Sequence, residues 1–258
     1  MIRRGWATDL VELFLPTGCV ACGGWIPSRE APAIVCVLCR TRLHDPGWPR
    51  CPRCHHPRGT GRIEEPDCLE CRAWPAELTG ARYAYGLIPP ADDLVHALKY
   101  EGWREVSEFM GVAMARAVVA SPRVALDPVA GRAPTVVPIP TTLHRIRSRG
   151  YNQAHLLADT LARTLGLTLR DALTRPTAPR SQTSLSPTER RENVRGAFQV
   201  TPGGAPWVRG APILLVDDVL TTGATAAEAA VTLSGAGAGP ITLVTFARAL
   251  PQQSKKAA

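Results

Sequence analysis

Apolar residues switch period several times along this chain, and the switches predict its elements. Trp6, Leu10, Leu13 and Phe14 fall on one face of a short amphipathic helix that ends before Pro16. From there to about residue 75 the pattern is broken by Pro, Gly and Cys, and no long apolar period survives. Order returns at Ala81–Leu87, which reads as a short strand. Asp92–Tyr100 and Trp103–Ala120 read as helices, the second with Val106, Phe109, Met110, Ala113 and Ala117 at helical spacing. Thr135–Ile139 is a β-branched run interrupted by Pro138. Asn152 caps a helix whose Leu156, Leu157, Leu161 and Leu165 form one stripe, closed by Gly166. Residues 174–195 are polar, Arg-rich and weakly periodic, which predicts a loop. Ile213–Val216 and Ile241–Phe246 are strands, with a helix over Ala224–Leu233 that stops near Gly235. Strands alternating with helices predict an α/β fold with a parallel sheet.

This divides the chain into a cysteine-bearing segment, 1–75, an α/β domain, 80–250, and a tail, 251–258, with the linker at Ala73–Thr79. At 258 residues and 45% hydrophobic composition, one or two globular domains fit and a wholly disordered chain does not. No stretch reaches the roughly 18 apolar residues of a membrane span. Asp9 and Glu12 interrupt the stretch after Arg3 and Arg4, unlike a secretory signal, so a cytoplasmic location is the default expectation.

The net charge of +8 favours anionic partners without choosing among them. Residues 79–258 carry 20 of the 30 basic residues and 13 of the 22 acidic ones, so the surplus lies in the α/β segment. Lys99, Lys255 and Lys256 are the lysines; the other basic residues are Arg, suited to phosphate although codon bias gives the same composition. Aromatics at 5% argue against broad base-stacking platforms.

All 8 cysteines precede residue 72 and fall into C-x-x-C pairs: Cys19/Cys22, Cys36/Cys39, Cys51/Cys54 and Cys68/Cys71. The array is C-x2-C-x13-C-x2-C written twice, an internal repeat as well as a metal signature. Two such turns complete a tetrahedral thiolate set around Zn²⁺ with no open position, so the two sites are structural. Disulfides would need an oxidising compartment. Four tandem pairs are poor evidence for a redox motif, and iron can replace zinc. Pairing first with second and third with fourth is the simpler arrangement; an interleaved one would give a cross-braced domain. With four cysteines per site, His44, His55 and His56 are expected at the surface.

The most specific segment is ILLVDDVLTTGATAAEAA, residues 213–230. A strand runs into Asp217 and Asp218; a small polar loop then opens a helix. Backbone N–H groups at such a helix start form a phosphate cradle. Thr221, Thr222 and Thr225 add hydroxyls, and Gly223 permits close backbone approach. The acids stand at a strand's C-terminal end, where open α/β sheets bind ligands, and suit a ribose diol or a Mg²⁺ hydration shell. For two adjacent acids alone, solvated side chains would be the better reading.

This segment resembles the phosphoribosyl diphosphate (PRPP) motif of type I phosphoribosyltransferases. With the tandem cysteine array it narrows to a resemblance to the ComF family (competence protein F and GntX-like proteins). LKYEG at 98–102, PIPTTLHRIRSRGYNQA at 138–154 and RPTAPRSQTSLSPTERRENVRGAF at 175–198 are similar to further blocks of that family. The resemblance implies a type I phosphoribosyltransferase sheet preceded by a double zinc ribbon. It implies that Asp217 and Asp218 contact the ribose hydroxyls and that Thr221, Thr222, Gly223, Ala224 and Thr225 hold the 5′-phosphate. Arg145, Arg147 and Arg149 would meet pyrophosphate and Mg²⁺, with Lys99 facing the cleft. Arg175, Gln182, Arg190, Arg191 and Asn193 would belong to a flexible closing loop. The implied reaction is displacement at the ribose anomeric carbon with pyrophosphate leaving. The family name implies an alternative: a DNA-uptake protein that binds single-stranded DNA or competence partners, or a PRPP sensor without turnover.

Overall fold

A computed structural model describes residues 18–27, 33–45, 47, 49–58, 68–121, 124, 131–176 and 196–250. The N-terminal amphipathic helix and the tail expected at 251–258 lie outside them. A short helix α1 (Val37–Arg42) precedes strand β1 (Leu78–Gly86). Helices α2 (Ala91–Tyr100) and α3 (Val106–Val119) lead to β2 (Thr135–Pro138). Helices α4 (Leu143–Arg149) and α5 (Gln153–Leu165) lead to β3 (Thr168–Leu169). A two-stranded hairpin of β4 (Leu173–Thr174) and β5 (Gln199–Val200) and a short helix α6 (Ala205–Val208) precede β6 (Ile213–Leu220), α7 (Ala224–Gly235) and β7 (Ile241–Arg248).

Five strands form one sheet in the order β1-β7-β6-β2-β3, every pair parallel. The expected α/β class is therefore observed. After β2 the chain moves outward to β3, then returns to lay β6 on the other side of β2. The crevice between the C-terminal ends of β2 and β6 is thus the topological switch point, where such sheets bind ligands.

Alternation along the central strands separates two cores. Leu214 and Val216 of β6 join Leu94, Leu98, Met110, Met114, Leu157 and Leu161 on the face covered by α2, α3 and α5. Ile213 and Leu215 join Ala226, Ala229, Ala230 and Leu233 of α7 on the opposite face. On the first face α3 and α5 touch at Gly111, where a Cβ would lie 2.5 Å from Thr160 Cβ.

The cysteine-bearing segment straddles the β1 edge of this sheet. Cys19, Ile26, Val35 and Cys39 belong to the first core, and Cys51, Cys54, Cys71 and Trp74 to the second. The edge itself is covered: Ala81 N–H donates to the Arg53 carbonyl at 2.8 Å and Gly86 N–H to the His44 carbonyl at 2.9 Å. Pairing these groups removes an open strand edge. The stretch 73–79 is therefore not a free linker: Trp74 is buried, and β1 already begins at Leu78.

Several elements run further than periodicity showed. Strand β6 continues through both aspartates to Leu220, because its ladder with β7 persists through Asp217–Thr245 and Leu220–Arg248. Helix α4 was hidden in the segment after Ile139; Thr142 caps it, accepting from Arg145 N–H at 3.4 Å, and Gly150 closes it at φ 81°. Asn152 caps α5 as expected, accepting from Ala154 N–H at 3.3 Å, and Gly166 ends it in the left-handed region. Among the described residues, no helix is long and apolar enough to cross a membrane.

Candidate functional site

The two carboxylates sit where β6 leaves the sheet. Asp218 is 4% exposed, and its Oδ1 lies 2.9 Å from Lys99 Nζ at the last turn of α2. Its Oδ2 is buried and unpartnered. Asp217 is half-buried and accepts the Asp218 backbone N–H at 2.9 Å. Burial and the neighbouring Asp218 charge push Asp217 up to about 7, against the pull of Lys99 and Arg145. One carboxylate is thus held by a lysine while the other stands close to its titration point.

These acids open on a cleft of about 540 Å³ at the switch point. Thr221 and Thr225 line it beside Asp217 and Asp218, and Lys99, Arg145 and Arg175 supply positive charge. Thr141 also lines it and has a buried hydroxyl with no partner. The Arg175 guanidinium lies 5.3 Å from the Phe198 ring with its buried Nε unpartnered; burial and Arg145 lower its basicity while Asp217 supports it. Unsatisfied buried donors and acceptors facing a cleft are the groups a polar ligand would satisfy.

Other expected residues lie around this centre. Arg149 donates to Gln153 Oε1 at 3.1 Å and stacks on Tyr100 at 4.9 Å, at the cleft's rim. Arg147 is exposed and does not line the cleft. Thr222, Gly223 and Ala224 form the turn into α7 without lining it. Gly223 is required by a different approach from the one its sequence suggests. At φ 80°, a Cβ there would meet the Trp74 indole at 2.7 Å. Gln182, Arg190, Arg191 and Asn193 lie outside the described residues. Thr141 and Gln153, both in the cleft wall, were missed although they stand inside the 138–154 block; only the fold shows which of its residues face inward.

The eight cysteines form two groups, Cys19/Cys22/Cys36/Cys39 and Cys51/Cys54/Cys68/Cys71, with the four sulfurs of each within 4.8 Å of one another. No two of these eight sulfurs are bonded to each other, which fits metal sets rather than disulfides. The grouping is first pair with second and third with fourth, so the interleaved arrangement does not occur. Packing four thiols together separates their acidities. The hydrogen bond with Cys54 draws Cys51 down to about 3, while burial and the Cys51 charge push Cys71 up to about 12. Four sulfurs this close together could bind a cation as thiolates, and an all-sulfur set fits Zn²⁺.

The repeat is visible in the backbone. Gly18–Trp25 and Arg50–Pro57 are matching antiparallel bridges around Cys19–Cys22 and Cys51–Cys54. The residue after each turn has positive φ: Gly23 at 69° and His55 at 62°. His55 and His56 correct the surface expectation. His55 is buried, its ring 5.9 Å from Tyr83, and His56 is half-buried. The left-handed backbone carries the His55 ring against Tyr83, while burial and Arg82 and Arg50 hold its imidazole down to about 3, hence neutral. His44 is exposed as expected.

Fold and site together define a parallel-sheet α/β fold with an anion-suited cleft and two four-cysteine groups that could bind zinc. DNA utilization protein YhgH of Escherichia coli strain K12 is 30% identical over 232 residues, 84% of this chain and 97% of that protein. DNA utilization protein YhgH of Salmonella typhi is 31% identical over 202 residues, 78% of this chain and 84% of that protein. Competence protein F of Haemophilus influenzae is 37% identical over 117 residues, 44% of this chain and 50% of that protein. The chain belongs to the ComF family, with these DNA utilization and competence proteins. No family model matches the chain. Among solved structures, the glutamine phosphoribosylpyrophosphate amidotransferase from B. subtilis, complexed with ADP and GMP, aligns at TM-score 0.36 and 18% identity. That alignment covers 54% of this chain and 26% of the amidotransferase. The protein TT1426 from Thermus thermophilus aligns at TM-score 0.32 and 19% identity, over 59% of this chain and 86% of that one.

Proposed function

We propose that the cleft binds PRPP or a related phosphoribosyl ligand and that the protein transfers the phosphoribosyl group in the service of DNA utilization. The observation that carries this reading is the Asp218 carboxylate. It is buried at the end of β6, half neutralised by Lys99, with one oxygen unpartnered beside the threonine loop. A buried acceptor of this kind suits a ribose hydroxyl donor. Thr221, Thr225 and the start of α7 would hold the 5′-phosphate. Arg145 and Arg175 would face the pyrophosphate, with Arg147 and Arg149 on the same helix as Arg145 adding positive charge. In the reaction the bond from the anomeric carbon to the pyrophosphate oxygen breaks as the bond to the acceptor forms. The arginines stabilise the charge that gathers on the leaving group. Mg²⁺, when bound, would neutralise pyrophosphate charge; Asp217 and the free Asp218 oxygen are the chain's fitting acceptors for the waters of its hydration shell. In this reading residues 1–75 are a zinc-bearing unit that supports the α/β unit of 80–250.

Titration calorimetry of the zinc-loaded protein with PRPP and Mg²⁺ tests the assignment. Micromolar binding is expected in the parent and at least a hundredfold loss in Asp218→Asn, with two zinc ions per chain in both. Equal affinity in the two proteins would sink the ribose assignment. Pyrophosphate release with a panel of bases separates transfer from sensing.

A second reading has its own support at the rim. Tyr100 is exposed there, with Arg149 stacked on it and Arg104 on Tyr151 at 4.6 Å. Arginine interleaved with aromatics is a surface for single-stranded DNA. Steep salt dependence of oligonucleotide binding, unaffected by Asp218→Asn, would favour it.

A further inference from the structure

The geometry points to Trp74 as a positioning residue for the 221–225 loop. Through Trp74, the second cysteine cluster is a working part of the ligand site. This inference rests on the cleft reading above for its consequence, though not for its geometry.

Trp74 follows Cys71 by three residues, and its backbone is locked to the knuckle. Its N–H donates to the Cys71 carbonyl at 3.0 Å. The Arg53 side chain, from inside the Cys51–Cys54 turn, binds the carbonyls of Cys71, Pro75 and Leu78 at 3.1, 2.6 and 2.9 Å. Its guanidinium also lies 5.9 Å from the Trp74 ring. A residue held this way moves only if the knuckle moves.

The indole reaches across to the loop. Trp74 Nε1 donates to the Thr222 carbonyl at 3.0 Å. A trans peptide sets its N–H opposite its carbonyl, so this bond also fixes the direction of the Gly223 N–H, away from the indole. Gly223 is the N-cap of α7, in the left-handed region and with no side-chain cap. The ring is packed so closely that a Gly223 Cβ would fall 2.7 to 2.8 Å from Nε1, Cε2 and Cζ2. Trp74 is 7% exposed, so the contact is desolvated. The loop that opens α7 therefore takes its shape from the second cluster as well as from its own sequence. The first cluster packs on the opposite face of the sheet, with Cys19 and Cys39 in the other core.

The consequence is directional. Loss of the indole N–H frees the Thr222–Gly223 peptide to rotate, and loss of the knuckle's metal frees Trp74 itself. Either change loosens the loop, while the Asp217–Asp218 pair stays fixed by the β6 ladder.

Hydrogen exchange at amides 221–226, on full-length zinc-loaded protein without ligand, is the first readout. Trp74→Phe keeps an aromatic ring and removes the donor. It should raise exchange at these amides about tenfold and weaken binding of PRPP with Mg²⁺ by about five- to tenfold, with two zinc ions retained. Cys68→Ser, in the second cluster, should reproduce the loop exchange; Cys22→Ser, in the first, should leave it at the parent value. Gly223→Ala should loosen the loop less in a Trp74→Ala background than alone, because the clash is gone. Unchanged loop exchange in Trp74→Phe overturns the proposal, and so does an equal effect from the two cysteine variants. If the parent fails to bind PRPP while Trp74→Phe still loosens the loop, the PRPP reading falls and the positioning role stands.

Discussion

The two halves of the cysteine repeat share the backbone of their first C-x-x-C turn and differ in what surrounds it. Each begins with a bridged C-x-x-C turn followed by a left-handed residue. In the first half that residue is the exposed Gly23, and Cys22 beside it is exposed too. In the second half it is the buried His55, and Cys54 is fully buried. The difference follows from neighbours. Arg248, at the end of β7, donates to the Cys54 carbonyl at 2.8 Å, and Tyr83 of β1 donates to the His55 carbonyl at 2.9 Å. The first half meets the helical face through Ile26 and Val35. The second copy of a duplicated cysteine motif is thus buried further than the first, whose Cys22 stays exposed while its Cys19 and Cys39 are buried.

The largest test of that contrast is removal of one ligand from each copy. Cys54→Ser and Cys22→Ser should each leave one zinc ion per chain by elemental analysis. Cys54→Ser should cost about 4 kcal/mol and lower the melting temperature by roughly 8 °C or more; Cys22→Ser should cost about half as much. Equal losses would mean that burial of the second copy contributes little.

The cleft beside the second copy should also respond to pH. Asp217 has its folded value raised to about 7, above the ordinary 3.8, so the folded state keeps a proton that the unfolded chain has lost. Ionising it costs stability as pH rises from about 4 to 7. A ligand that needs the ionised carboxylate gains affinity over the same range, by up to about tenfold per pH unit, and levels off above 7. Calorimetry at pH 6, 7 and 8 should show this rise, and Asp217→Asn should flatten it.

The smallest effect distinguishes the left-handed positions. Gly23→Ala has open space around its Cβ but a φ of 69°, so it should cost about 1 kcal/mol, seen as a small shift in denaturant midpoint with zinc content unchanged.

Much of this was legible from sequence because it depends on short-range pattern. The helix at 153–165 is written in Asn152, its leucine stripe and Gly166, and the strand–acid–threonine order of 213–225 places the ligand end of β6. The knuckles follow from spacing alone, since two residues between cysteines direct both sulfurs to one point. Other features were illegible for equally physical reasons. Helix α4 is only seven residues long, buries none of them and carries two basic residues in its last turn, so its period was indistinct. The extension of β6 through Asp217 and Asp218 is stabilised by pairing with β7, a partner more than twenty residues away. His55 reads as a polar surface residue, and only its left-handed backbone and Tyr83 make it internal.

The chain's own pattern determined the α/β class, the four C-x-x-C turns and the position of the acids and threonines, because each follows from neighbours in sequence. Tertiary structure alone decided that β2 and β6 would flank the cleft, that Lys99 would hold Asp218, and that Trp74 would lie on Gly223. Those contacts join residues 119 and 149 positions apart, and no local periodicity encodes such a meeting. It arises when the apolar residues of the cysteine repeat join the cores on the two faces of the sheet around the β1 edge.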